Sequence, residues 1–433
     1  MTLASTTLHR RPEAAEGHTR VRTLAVVAYH SSPLGPPGEG DSGGMTVYVR
    51  ELAVALARRG VRTDIFTRAD AQGPAVTSLG EDVRVIAVEA GPLERLPKVA
   101  LTAHLSEFVA GTRAFSLAQR RTYDAVHSHY WQSGLAGIAL AEGWGVPLVH
   151  SHHTLGKVKN TYLAPGDRPE PAVRLEGETR VIEAAGVLVA STDEEWRQLA
   201  CLYGASHDRL KTLHPGVDHS LFTPGSMRAA RDSLGLGDEA VMLYAGRIQR
   251  LKGVDLAIRS AAELVHALDR PLVFLVAGGA SGVDGGAELE RLKDLAAALG
   301  LRDVVRFVGA VPHADLPVYY RAADVLVVCS HSESFGLAAL EAHSCGTPVV
   351  ATAVGGLEHI VDDGRSGFLV DTRDPAVFSA RLKRLLSDAD LRAGFSAAAS
   401  IASSSFSWDR TAGSLQELYE CLVREQSPEA CTC

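Results

Sequence analysis

Short apolar runs rich in Val, Leu, Ile and Ala alternate along the chain with stretches whose apolar positions recur every three or four residues. In the first half the runs lie at 23–30, 62–69, 83–90, 125–130, 147–153 and 186–192. In the second half they lie at 240–247, 271–279, 304–311, 325–330, 348–354 and 367–371. Continuous apolar strands separated by helices belong to parallel sheets covered on both faces. Two such series predict an α/β chain with two doubly wound, Rossmann-like domains. The join falls in "HPGVDHSLFTPG", 214–225, where two Pro-Gly pairs break the pattern. The expected divisions are a disordered polar leader over 1–21, a first domain over 22–215 and a second over 216–405. A helix over 406–427 is expected to pack back on the first domain, followed by a tail over 428–433. Ligands of such sheets bind beyond the carboxyl ends of the strands, so two facing domains predict one cleft.

One connection is too long for a plain strand-to-helix turn. After the first run comes "YHSSPLGPPGEGDSGG", rich in Gly and Pro, before Val49, Leu52, Ala53 and Leu56 take up helical spacing. Gly43 and Gly44 precede that helix, where a bare backbone and free N–H groups favour an anion.

Other motifs sit at predicted strand ends. "GRIQRLKG" (246–253) places Arg247 and Lys252 beside glycines, a pair suited to a diphosphate and to the charge on a departing nucleotide. "HSESFGLAALEAHSCGTPVV" (331–350) brackets a helix start with Glu333 and Glu341. Such carboxylates serve either as general acid and base or as acceptors for sugar and ribose hydroxyls. Histidines cluster in "HSHYW" (127–131) and "HSHHT" (150–154). No acidic partner adjoins them and no Asp-x-Asp pair appears, so one cleft-facing histidine fits better than a metal site. "VAGGASGVDGG" (276–286) lacks the spacing of a dinucleotide fingerprint, which argues against an oxidoreductase.

Composition narrows the partners. The net charge of −8 argues against nonspecific nucleic-acid binding, and no 18-residue apolar run suggests a membrane span. Cysteines at 201, 329, 345, 421, 431 and 433 match no zinc spacing and read as reduced cytoplasmic thiols.

In combination, "GRIQRLKG", the Glu333–Glu341 pair, "HPGVD" and "DSGGMTVYVREL" resemble the retaining GT-B glycosyltransferases of family 4, over roughly residues 23 to 423. Within that family the chain is most similar to the mycothiol-pathway branch, which moves N-acetylglucosamine from UDP onto inositol 3-phosphate. The resemblance implies that Lys98, Tyr130, Thr154 and Arg174 hold the acceptor phosphate. It implies acceptor contacts from His30 and from Asp41, Ser42, Gly43, Gly44, Met45 and Thr46. Gly44, Arg247 and Lys252 would face the donor diphosphate, Glu333 the donor sugar and Glu341 the ribose hydroxyls. Val311, Ser334, Phe335, Gly336 and Leu337 would complete the donor pocket. His153, Glu333, Arg247 and Lys252 form the implied catalytic set. Also implied are domain closure, front-face attack with retention, and no cofactor or metal beyond a nucleoside-diphosphate sugar as co-substrate. A homodimer is left open.

The chain departs from the family in the same loop. Thr46 stands where asparagine is usual, and Pro36-Pro37 where glutamine-proline is usual. The text around Lys98 is also looser. A hydroxyl replaces an amide at position 46, which alters what can be hydrogen-bonded. The alternative expectation is therefore a paralogue in specialised-metabolite biosynthesis, such as S-glycosylation of ergothioneine with a GDP-activated octose in a lincosamide pathway.

Overall fold

The computed structural model describes residues 20–36, 38, 42–282 and 284–425. Most of the expected leader, Pro37, Asp41 and all of the expected tail lie outside the described residues.

The first sheet contains β1 (Thr23–Val27), β2 (Arg62–Arg68), β3 (Val76–Gly80), β4 (Val83–Val88), β5 (Ala125–His129), β6 (Leu148–Ser151), β7 (Val187–Ala190) and β8 (Leu210–Thr212). Its order is β3-β4-β2-β1-β5-β6-β7-β8. The second contains β9 (Ala240–Ala245), β10 (Leu272–Ala277), β11 (Val305–Gly309), β12 (Val325–Val328), β13 (Val349–Thr352) and β14 (Gly367–Val370), ordered β11-β10-β9-β12-β13-β14. All pairings are parallel except β3 with β4. Strand order reverses between β1 and β5 and between β9 and β12, where doubly wound sheets open a ligand crevice.

Alternation within each strand explains why both faces are covered. Ala240, Met242 and Tyr244 enter one apolar cluster, while Val241, Leu243 and Ala245 enter the cluster on the opposite face. Ala25 and Val27 divide from Leu24 and Val26 in the same way. Each fully buried Val or Leu contributes on the order of 1.5–3 kcal/mol, so a polar substitution on either face is costly.

The helix Gly44–Arg58 buries Val49, Leu52, Ala53 and Leu56. The final helix, Trp408–Glu425, packs in the same cluster through Trp408, Ala412, Leu415 and Tyr419. The chain therefore ends on the first domain. It crosses at Gly216, where a Cβ would overlap the backbone of Ser407 and Trp408. Val217 bridges to Ser407, and Thr411 Oγ1 donates to the His214 carbonyl at 2.7 Å.

Two strands escaped the sequence pattern. β3 is an antiparallel edge strand with alternating partial exposure, so it has no apolar run. β8 has only three residues. Every expected strand stops at least one residue early, and three of these ends matter. The sheet ends at Val27, His129 and Ser151, so His30, Tyr130 and His153 fall on loops. Tyr130 and His153 take φ of 76° and 61°, uncommon for side-chain-bearing residues.

Candidate active site

A cleft of about 260 Å³ lies between the carboxyl ends of the two sheets. On the first-domain side, Gly43 caps the helix Gly44–Arg58, and the Thr46 hydroxyl lies 3.4 Å from the Gly43 N–H. An added Cβ at Gly43 would sit 2.9 Å from Arg247 Nε, and one at Gly44 would sit 3.4 Å from Leu337 Cδ1. Glycine is what lets this helix start approach the second domain so closely. The Gly279 N–H donates to the Gly38 carbonyl at 3.2 Å, joining the loop to the opposite wall.

The second domain presents its own helix start, Leu337–Ser344, after Gly336 at φ 102°. Two helix N-termini thus converge from opposite domains on the space beside Arg247, a favourable place for negative charge. The Tyr244 hydroxyl donates to the Arg247 carbonyl at 2.7 Å, and Arg247 Nη1 lies 3.4 Å from Ser281 Oγ. Lys252 Nζ pairs with Glu333 Oε2 at 2.6 Å, and Ser330 Oγ donates to the same oxygen at 3.2 Å. An ammonium has three N–H groups, so this pair leaves Lys252 donors for a phosphate.

Glu341 lines the cleft but is 6% exposed. His313 Nε2 lies 2.7 Å from its Oε1, and the Tyr320 hydroxyl donates to Oε2 at 2.8 Å. Each carboxylate has its own fixed partners, an arrangement suited to accepting hydroxyls rather than to proton exchange between Glu333 and Glu341. Val311, Ser334, Phe335 and Leu337 line the same cleft.

A second cluster adjoins His153. The His30 and Tyr130 rings are 4.3 Å apart, with Lys98 Nζ and Arg174 Cζ at 5.7 and 5.1 Å from the Tyr130 ring centroid. Arg174 Nη2 donates to both the carbonyl and Oγ1 of Thr154 at 3.0 Å. Burial first, and then the positive fields of Lys98, His153, Arg174 and Arg247, hold the His30 imidazole well below its ordinary range. His30 Nδ1 is buried without a hydrogen-bond partner. The structure thus brings together a neutral imidazole, a phenol and two cations, which suits a small anion.

His153 Nε2 lies 2.9 Å from His129 Nδ1. Burial pushes the His153 imidazole down to about 3, so it acts at neutral pH as an uncharged hydrogen-bonding ring. His127 stacks on His129 at 4.2 Å and bonds Ser151 at 3.0 Å. Among the described residues, no group of three or more His, Cys, Asp or Glu side chains could hold a metal ion. Nor is any described helix long and apolar enough to cross a membrane.

Residues 43–216 match the family described as Glycosyl transferase 4-like domain, and residues 226–401 that described as Glycosyl transferases group 1. D-inositol 3-phosphate glycosyltransferase 2 of Catenulispora acidiphila is 48% identical over 404 residues, covering 92% of this chain and 94% of the relative. D-inositol 3-phosphate glycosyltransferase of Acidothermus cellulolyticus is 46% identical over 429 residues, covering 98% and 95%. Sucrose-phosphate synthase from Thermosynechococcus elongatus superposes with a TM-score of 0.86 at 31% identity, covering 93% of this chain and 100% of that one. The chain belongs to the GT-B glycosyltransferases of family 4. HepE of Anabaena, solved with UDP and glucose, shares the fold at a TM-score of 0.72 and 19% identity, covering 93% and 100%.

For a glycosyltransferase of this family, some expected residues stand differently from their sequence reading. Thr46 is 1% exposed and does not line the cleft. Its hydroxyl is committed to Ser31 Oγ at 3.0 Å and to the Gly43 N–H, so it shapes the loop from beneath. Ser42 also lies outside the cleft lining, packed under Gly35, while Met45 lines it. Asp41 lies outside the described residues. Arg174 is 3% exposed and largely occupied: Nε meets Glu178 at 2.8 Å and Nη1 meets Glu170 at 2.9 Å. Those carboxylates were overlooked, although Glu170, Arg174 and Glu178 repeat at four-residue intervals, the spacing that aligns helical neighbours. Also overlooked was the packing behind His153. Tyr48 meets its ring at 5.0 Å and Trp408 at 5.4 Å, and the Tyr419 hydroxyl lies 2.7 Å from His127 Nδ1. The final helix of this glycosyltransferase therefore supports the histidine stack, a long-range contact without a local sequence signal.

Proposed function

We propose that the enzyme transfers N-acetylglucosamine from UDP-N-acetylglucosamine to inositol 3-phosphate with retention of anomeric configuration. The observation that carries this reading is the pairing of two anion sites across His153. One is formed by Arg247, Lys252 and two helix N-termini; the other by His30, Lys98, Tyr130 and Arg174. The names of the similar glycosyltransferases support the acceptor. In this reading Arg247 and Lys252 stabilise the departing diphosphate as charge develops on it. A phosphate oxygen of the leaving group takes the acceptor proton on the front face. His153, neutral through burial, hydrogen-bonds the reacting sugar, and Glu333 orders both Lys252 and the sugar. Glu341 accepts the ribose hydroxyls. No metal or further cofactor enters the scheme. Thr46, the residue that pointed to a different acceptor, is turned into the protein and lends no support to a sulfur-linked product.

The test is product formation from UDP-N-acetylglucosamine and inositol 3-phosphate, read by mass spectrometry, with the anomeric proton coupling read by NMR and EDTA present in a parallel reaction. An α-linked product formed equally well with EDTA is expected. A thermal shift with GDP but not UDP would reject the donor, an inverted product the stereochemistry, and metal-reversible inhibition by EDTA the metal-free scheme.

A further inference from the structure

Arg50 projects from the helix Gly44–Arg58 of the first domain into the second. Its Nη2 lies 3.2 Å from His313 Nδ1, and its Nε donates to Glu51 Oε1 at 2.9 Å. His313 in turn lies 2.7 Å from Glu341, whose second oxygen takes the Tyr320 hydroxyl. We propose that Arg50 is a positioning residue for the donor: it crosses between domains to His313 and thereby fixes the carboxylate of Glu341, so that domain closure and capture of the nucleotide ribose are one event. The inference rests on the reading of Glu341 as the ribose acceptor.

Hydrogen-bond chemistry assigns the tautomer. A guanidinium only donates, so His313 Nδ1 must accept. The ring proton then sits on Nε2 and points at Glu341. Neutral His313 satisfies both neighbours in one geometry. A protonated ring would still donate to Glu341, but it would turn an N–H toward Arg50 and break the bridge between domains. The charged groups around the ring are Glu341 from the helix Leu337–Ser344, and Arg50 and Glu51 from the helix Gly44–Arg58; the Tyr320 hydroxyl also faces Glu341. Burial opposes charging of His313, yet Glu341 prevails and its imidazole titrates above the ordinary range. The bridge therefore holds at alkaline pH and is lost as pH falls through that raised value. Glu341 keeps its His313 bond throughout, so acid should release the first domain's grip without unfolding the ribose site.

The experiment is calorimetric titration of the full chain with UDP and with GDP, at about pH 6 and about pH 8, either side of the imidazole range. Wild type, Arg50→Ala, His313→Gln and Glu341→Gln are compared, with ligand-free thermal midpoints as a folding control. Arg50→Met, which keeps the stem packing, replaces the alanine variant if that one unfolds. At the higher pH, Arg50→Ala should weaken the bound nucleotide roughly tenfold, the size of one hydrogen bond to a charged group. Wild type should lose affinity on acidification, beyond any change common to all variants. Arg50→Ala and His313→Gln should lack that extra loss. If Arg50→Ala matches wild type at both pH values while Glu341→Gln binds weakly, the ribose reading stands and this inference falls. If Glu341→Gln binds like wild type, or neither nucleotide binds at all, the underlying reading falls and the inference with it.

Discussion

Replacing Arg174 tests whether the acceptor anion site is also a structural keystone. Its guanidinium has five N–H groups. Four are directed at protein: one at Glu178, one at Glu170 and two at Thr154. The second N–H on Nη1 is the one that the proposed acceptor phosphate would use. Glu178 is completely buried and also receives the Gly156 N–H at 3.0 Å and the Tyr203 hydroxyl. Arg174→Ala would strand this carboxylate, and breaking a buried ion pair from one side costs about 3–5 kcal/mol. A loss of acceptor binding in this variant alone would therefore be uninterpretable. The sign of the pH dependence separates the causes. In wild type, burial opposes ionisation of Glu170, but Arg174 and Lys159 override it and hold its carboxyl below the usual range. Its contribution is present above the unfolded pKa and is lost as pH falls through the depressed folded value. Arg174→Ala removes Arg174's share of that contribution, so the variant's loss relative to wild type should be largest above the unfolded carboxylate range and shrink toward acid. Trp131, Trp144 and Trp196 lie in the first domain and Trp408 packs against it, so tryptophan fluorescence during urea unfolding reports this domain selectively. The double variant Arg174→Met/Glu178→Gln should regain most of the lost stability while binding inositol 3-phosphate roughly tenfold more weakly. A single-variant loss below about 1 kcal/mol, or equal losses at both pH extremes, would refute the buried-pair argument.

Lys252→Ala should leave the thermal midpoint of the ligand-free protein nearly unchanged, because the Lys252–Glu333 pair is partly solvated. It should lower kcat by about 100- to 1000-fold, the usual loss for one transition-state charge partner; normal turnover would remove it from the diphosphate grip. Tyr419→Phe should leave His127 Nδ1 unpaired in the core and cost about 1–3 kcal/mol, seen as a lower urea midpoint. Gly216→Ala should be more damaging than its size suggests, since the added carbon meets the backbone of Ser407 and Trp408. Its signature would be early release of the final helix in hydrogen exchange, and unchanged protection there would refute the crossing argument.

The fold was legible because its signal is local and repetitive. Buried parallel strands such as Ala240–Ala245 and Leu272–Ala277 are continuous apolar runs. The edge strand Val76–Gly80 has solvent on alternate side chains and lacks that signature. The second-domain wall of the cleft was legible for a similar reason: Arg247, Lys252, Glu333 and Glu341 lie on two short segments at strand ends, and all four line the cleft. What stayed hidden was pairing between distant segments. Nothing local says that Lys252 meets Glu333, that Arg50 meets His313 across the cleft, or that Tyr419 reaches His127.

Thr46 shows why residue type and position alone can mislead about specificity. A threonine in place of asparagine reads as a changed substrate contact, because the amide and the hydroxyl offer different hydrogen bonds. Its hydroxyl is instead spent inside the loop, on Ser31 and on the Gly43 N–H that starts the helix. That helix start is the surface that approaches Arg247. Thr46 therefore belongs to the layer beneath the cleft, in the loop that presents Gly43 and Gly44. In the proposed reaction, acceptor specificity rests instead on the buried cluster beside His153: the unpartnered His30 nitrogen, the Tyr130 ring flanked by two cations, and Arg174.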